Sequence, residues 1–253
     1  MIRRLGIIGA GHLAGFVAEG LRRSGWDGDL LIPERGEKAE AFAARHRATV
    51  MASAQAVIEG ADAVLVAVRP AQTGDALAGT KWPEGRLLIS AMAGVKIAAL
   101  QTLAPGARII RSMPISAATL GASPTSVFPH DETAETLLAR LGPVIPMKSE
   151  TALEAASANA AAYGWYFRLI DRLEAANRSA GLDAAAARRM TAETLIAAGR
   201  VALASDESGE TILSSLATPG GITAQGLAVL EDADAFTPWD RAFGDVARRL
   251  KSD

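Results

Sequence analysis

Over residues 1–149 short, almost unbroken apolar runs alternate with longer stretches of helical periodicity. The runs are Leu5–Ile8, Leu30–Ile32, Ala63–Val68, Leu87–Ser90, Ala107–Arg111, Thr125–Phe128 and Val144–Met147. Continuous apolar character, rather than alternation, predicts strands covered on both faces. Strands separated by helical patterns predict a parallel sheet with crossover helices. From Glu150 onward no convincing β run remains, and residues 152–180, 183–204, 211–216, 224–230 and 239–250 read as helices. Gly181 supplies a C-cap and Asp183 an N-cap for the helix that follows. The chain is therefore expected to be α/β over residues 1–149 and all-helical over residues 150–253. Two long helices followed by shorter ones, with no sheet to cover, expose more apolar surface than they can bury alone. A homodimer, or a higher homo-oligomer built from dimers, is the economical solution, and a compact monomeric bundle is the alternative.

The first run leads directly into Gly9-Ala10-Gly11-His12-Leu13-Ala14, a G-x-G-x-x-A motif followed by a helical pattern. Strand, glycine turn and helix in that order are how a Rossmann dinucleotide-binding unit begins. Gly9 permits the tight turn, Gly11 lets a pyrophosphate approach the backbone, and the phosphates sit on the free N–H groups of the helix, beside His12 and Leu13.

Length and composition narrow the function. At 253 residues the chain exceeds the usual size of a single core, and its net charge of −2 without a basic run points away from nucleic acid. The absence of Cys removes thiolate nucleophiles, thiolate metal sites and disulfides. His12, His46 and His130 are scattered and do not form a metal set. No apolar signal region or membrane-length run is read, so a cytoplasmic protein is expected.

Three further stretches carry candidate chemistry. After the second run come Glu34 and Arg35. A carboxylate here accepts hydrogen bonds from the 2′-hydroxyl of NAD, whereas an Arg neutralises the 2′-phosphate of NADP; Arg35 favours NADP and Glu34 leaves NAD open. Ala67-Val68-Arg69-Pro70 and Ala91-Met92-Ala93-Gly94 end two strands, where ligands of open α/β sheets collect. The small residues of the second leave room for a nicotinamide ring, and on spacing they read equally as an ordinary small-residue turn. In the helical half, Thr218-Pro219-Gly220-Gly221-Ile222-Thr223 makes a sharp turn whose N–H groups, at the start of the next helix, can hold a carboxylate. The same stretch also reads as an ordinary turn with threonine caps.

These stretches, together with Ile110-Arg111-Ser112-Met113-Pro114, occur in the order seen in pyrroline-5-carboxylate reductases, and the chain resembles that family over nearly its whole length. The resemblance implies a Rossmann domain, a helical dimerisation domain and NAD(P)H-dependent reduction of a cyclic imine to proline. It also implies that Thr223 meets the imine nitrogen, that Thr218 and Ser157 line the substrate pocket, and that Gly220 and Gly221 offer N–H groups to the substrate carboxylate. Ala67, Arg69 and Pro70 match the cofactor side, with Arg69 in place of the usual Lys, and Arg35 matches the Arg after the second strand.

The chain also departs from the family pattern. Ile115 stands where Asn usually follows Met-Pro, and His12 replaces the customary Asn in the glycine turn. Ser157-Ala158-Asn159-Ala160-Ala161-Ala162-Tyr163 replaces Ser-Gly-Ser-Gly-Pro-Ala-Tyr. These changes leave two alternatives open beside pyrroline-5-carboxylate reduction, a reductase of a related imine and a non-catalytic NADP-binding regulatory dimer. β-Hydroxyacid dehydrogenases, which share the plan, place a catalytic Lys on the long helix. Residues 149–250 contain no Lys, which disfavours alcohol oxidation by that route.

Overall fold

A computed structural model describes residues 1–252. It contains two compact units, residues 1–160 with the stretch from Ala247 onward, and residues 161–246.

The first unit is built on an eight-stranded sheet: β1 (Arg4–Ile8), β2 (Asp29–Pro33), β3 (Ala48–Met51), β4 (Ala63–Val66), β5 (Leu87–Ser90), β6 (Arg108–Met113), β7 (Thr125–Phe128) and β8 (Val144–Pro146). The order across the sheet is β3-β2-β1-β4-β5-β6-β7-β8. The strand sequence reverses direction between β1 and β4, which makes the carboxyl ends of those two strands the topological switch point of the sheet.

Six of the seven pairings are parallel, but β6 and β7 run antiparallel, so the sheet is not wholly parallel. Between them the chain turns back through the short helical turn Ser116–Leu120 instead of crossing over through a full helix. A further strand, β3, was not anticipated. It lies at the sheet edge beside β2, with Thr49 and Val50 exposed, and so carries no buried apolar run to announce it.

Side chains leave the central strands alternately to two apolar layers. Leu5 and Ile7 of β1, Leu65 of β4 and Ile89 of β5 pack with Val17 and Leu21 of helix α1 (His12–Arg23) and Leu137 of α6 (Glu132–Leu138). Ile8, Val64, Val66 and Leu88 face the other way, onto Val57 and Ile58 of α3 (Ala54–Gly60) and Leu100 of α5 (Ile97–Leu103). This two-sided burial explains why the strands read as unbroken apolar runs. The remaining crossovers are α2 (Glu37–His46) and α4 (Thr73–Leu77). In α1 the buried residues Ala14, Val17, Ala18 and Leu21 follow the i, i+3, i+4, i+7 stripe of a helix lying on a sheet.

The helices of the second half are α7 (Glu150–Ser179), α8 (Ala184–Ala204), α9 (Gly209–Leu216), α10 (Ile222–Asp232) and α11 (Thr237–Ser252). Helix α7 ends as the glycine implies. Gly181 takes φ +106°, and the Leu182 N–H reaches back to the Asn177 carbonyl at 3.1 Å, a Schellman closure. The Asp183 carboxylate accepts the Ala186 N–H and caps α8. In the unit of residues 161–246, Tyr166, Phe167, Met190, Leu203, Ile222 and Val229 are exposed on the single chain. An apolar surface of this extent is what an interface between copies requires. Among the described residues, no helix is long and apolar enough to cross a membrane.

Candidate active site

At the switch point the carboxyl ends of three strands lie level. Ile8 pairs with Val66 and Val66 with Ser90, the Ala67 N–H donates to the Ile8 carbonyl, and the Ala91 N–H donates to the Val66 carbonyl, both at 2.9 Å. Above them opens a cleft of about 880 Å³. Gly11, His12, Leu13, Ala67, Val68, Arg69, Pro70 and Ala93 line it.

The two motif glycines act differently. Gly9 has φ +112°, and a Cβ there would lie 2.7 Å from the Ala67 carbonyl oxygen, so only glycine lets β1 turn tightly past the end of β4. Gly11 has ordinary dihedrals and is the N-cap of α1. Nothing lies within 4 Å of where its Cβ would be, and no side chain caps the helix. An uncapped helix start facing open space suits the diphosphate of a dinucleotide, whose oxygens would accept the N–H groups of the first turn.

Gly9, Gly94 and Arg35 are not among the lining residues. Gly9 sits behind the turn. Gly94 is buried at φ +77° and bends the loop after β5, and Arg35 is exposed ahead of α2. Besides Arg69, the basic side chains on the cleft come from α2, where Lys38 and Arg45 join Phe42 and His46. The motifs did not indicate these four, because α2 meets the cleft only by packing beside α1. The rings of Phe42 and His46 lie 4.6 Å apart, and His46 is buried. Burial, and then Arg45, lower the His46 pKa below its ordinary value, against the opposing pull of Glu19.

The glycine corner of the helical half has a defined geometry of its own. The Gly221 N–H donates to the Thr218 carbonyl at 2.9 Å, and Gly220 has φ +75°, which makes Thr218-Pro219-Gly220-Gly221 a type II turn with Pro and Gly in their preferred places. The Gly221 N–H, one of two expected to hold a carboxylate, is thus already engaged within the turn. Gly221 is the N-cap of α10 and offers no capping side chain, so the N–H groups of Ile222 and Thr223 have no acceptor within the helix. Thr218, Gly220 and Thr223 are exposed. Ser157 is buried within the first unit, and its hydroxyl donates to the Leu153 carbonyl at 2.8 Å, which leaves only its lone pairs for a ligand. The Ile115 N–H donates to the Ser123 hydroxyl at 2.9 Å.

Residues 150–252 match the family profile described as pyrroline-5-carboxylate reductase dimerisation, and residues 4–94 match one described as NADP oxidoreductase coenzyme F420-dependent. The chain is thus similar to pyrroline-5-carboxylate reductases over most of its length, and its helical half matches the dimerisation domain of that family. The match to a dimerisation domain supports homo-oligomerisation. Among curated relatives, the pyrroline-5-carboxylate reductase of Mycobacterium tuberculosis is 28% identical, with 90% of this chain and 89% of that protein covered. One from Acremonium is 29% identical over 80% of this chain and 70% of that protein. Among solved structures, the enzyme from Streptococcus pyogenes superposes with a TM-score of 0.88 at 22% identity, covering 99% of this chain and 98% of that one. The one from Coxiella burnetii gives 0.78 at 25% identity, with the same coverage of both chains.

Proposed function

We propose that the protein reduces 1-pyrroline-5-carboxylate to proline with NADPH as the hydride donor. The observation that carries this reading is the pairing, in one chain, of a diphosphate-ready cleft at the sheet's switch point with the Thr218–Thr223 turn on the family's dimerisation domain.

The residues present fit a dinucleotide, because Gly11 leaves the start of α1 open and the cleft wall at Ala91 and Ala93 is small. When bound, the reduced nicotinamide supplies hydride to the imine carbon. The demands on the protein are then to orient the rings, hold the carboxylate and polarise the nitrogen. The N–H groups of His12 and Leu13 hold the diphosphate, and Ala67, Val68, Arg69 and Pro70 line the wall across from them. Lys38 on the cleft and the exposed Arg35 ahead of α2 supply positive charge for the 2′-phosphate.

Thr223 donates its hydroxyl to the imine nitrogen and relays a proton from solvent, which raises the electrophilicity of the adjacent carbon. The α10 N-terminus, including the Thr223 N–H, receives the substrate carboxylate, with Thr218 and Gly220 shaping the turn around it. The assembly is a homodimer or a higher oligomer built from dimers.

Substrate-dependent loss of NADPH absorbance tests the proposal. Turnover with pyrroline-5-carboxylate supports it. Turnover confined to other cyclic imines would move the substrate assignment to a related compound, in keeping with Ile115 and the altered Ser157–Tyr163 stretch, and binding of NADPH without any turnover would refute the reductase reading.

A further inference from the structure

Arg111 is a charged residue in a strand that is otherwise core. It follows Ile109 and Ile110 in β6 and is 1% exposed. Its Nη1 donates to Glu150 Oε1 at 2.9 Å and to Glu154 Oε1, both on the first turns of α7. The same Glu150 oxygen accepts the Ile97 N–H at 2.8 Å, at the end of the loop that leaves β5. That loop begins with Ala91, Met92 and Ala93, which form the wall of the cleft. One carboxylate oxygen therefore joins β6, the cleft loop and α7.

The cluster is poorly suited to stability alone. Glu154 is also buried, and Arg111 Nε, Arg111 Nη2 and Glu154 Oε2 have no hydrogen-bond partner. Apolar residues of the same volume would fill this space without stranding those groups. Apolar packing would not, however, fix direction. Two donors converging on a single oxygen hold strand, loop and helix in register within hydrogen-bonding tolerance. Reaction geometry is sensitive at that scale, since a displacement of about 1 Å can cost about a hundredfold in rate.

We propose that Arg111 is a positioning residue for the ring end of the cofactor cleft: clamped by Glu150 and Glu154, it holds the loop after β5 against the start of α7. The proposal rests on the reading of that cleft as the cofactor site. The test uses the full chain carrying Arg111→Met with Glu154→Leu, which removes the two fully buried charges together and leaves only the partly exposed Glu150 without its cation. The variant is expected to fold with a Tm at or above that of the wild type and to bind NADPH within about threefold of wild-type affinity, because the diphosphate contacts at α1 are untouched. Amide exchange at Val95–Ile97 is expected to accelerate at least about tenfold, and kcat to fall at least about tenfold with little change in KM for NADPH.

Glu150, whose side chain is 29% exposed, gives a milder second probe. Glu150→Gln keeps an acceptor for Arg111 and Ile97 and should retain most activity, whereas Glu150→Ala should behave like the double variant. Wild-type exchange and kcat in the folded double variant, or in Glu150→Ala, would overturn the proposal. A wild-type protein inactive with every imine would count against the proposed reaction alone, and the exchange at Val95–Ile97 would still decide for or against the clamp.

Discussion

The two motif glycines give a sharp test, because one should matter for folding and the other for binding. In Gly9→Ala the new residue must hold φ +112°, which costs about 1–3 kcal/mol for a residue with a side chain. Its Cβ would also lie 2.7 Å from the oxygen and 2.8 Å from the carbon of the Ala67 carbonyl, and 2.9 Å from Val68 Cγ1. Two of these are backbone atoms at the end of a central strand and cannot swing aside, so overpacking adds about 1–3 kcal/mol. At about 2–4 °C per kcal/mol, Gly9→Ala should lower Tm by at least about 4 °C. Gly11→Ala meets nothing within 4 Å and keeps φ near −89°. The weaker N-cap costs a few tenths to about 1 kcal/mol, and the less flexible unfolded chain returns a similar amount, so Tm should stay within about 2 °C. Its methyl group nevertheless fills the space through which a diphosphate approaches α1, and NADPH binding should weaken at least about tenfold. Thermal unfolding and fluorescence titration with NADPH check both variants. A Gly11→Ala protein that binds NADPH as tightly as the wild type, or a Gly9→Ala protein that is equally stable, would refute this account of the turn.

Thr223→Ala should lower kcat by about 10–100-fold while NADPH affinity is unchanged, and an unaltered rate in steady-state assays would remove Thr223 from the chemistry. Arg35→Ala and Lys38→Ala should each weaken NADPH more than NADH in parallel titrations; equal weakening of the two would mean that the 2′-phosphate is read elsewhere. His46 makes stability depend on pH. Because its folded pKa lies below the ordinary value, the unfolded chain binds more protons as pH falls past about 6.5, so its contribution is complete above that pH and is lost as pH drops toward the folded value. Unfolding scans from about pH 7.5 to 5.5 should therefore show a steeper fall in Tm for the wild type than for His46→Gln, and parallel falls would assign the effect to another group.

The parts of the fold that were legible in the sequence are those whose burial is symmetric or whose caps are local. Strands β1, β4 and β5 are covered on both faces, so each shows a run of apolar residues whatever its neighbours are. The ends of α7 and α8 are set by Gly181 and Asp183, within a few residues of the backbone groups they satisfy. Strand β3 lacks both kinds of signal. Its half-exposed residues, between a left-handed Arg47 and the turn leading into α3, earn their strand conformation only by pairing with β2. The antiparallel β6–β7 pair is likewise invisible to periodicity, because an apolar run has no direction.

The site divides along the same line. Gly9 and Gly220 could be recognised because each answers a demand of its own backbone, a positive φ in a tight turn. Lys38, Phe42 and His46 could not, since what brings them to the cleft is the lie of α2 beside α1. Arg111 falls between these cases. Its partners are 39 and 43 residues away, and nothing in its neighbours' identities names them. Yet a guanidinium inside Ile109-Ile110-Arg111-Ser112 is a local contradiction: a strand buried on both faces cannot hold an unpaired charge. A carboxylate had to come from elsewhere in the chain, and the acidic residues that open α7 answer that need. The sequence thus contained the question in β6 and the answer in α7, and the fold contributes the further fact that Glu150 answers it for the cleft loop as well.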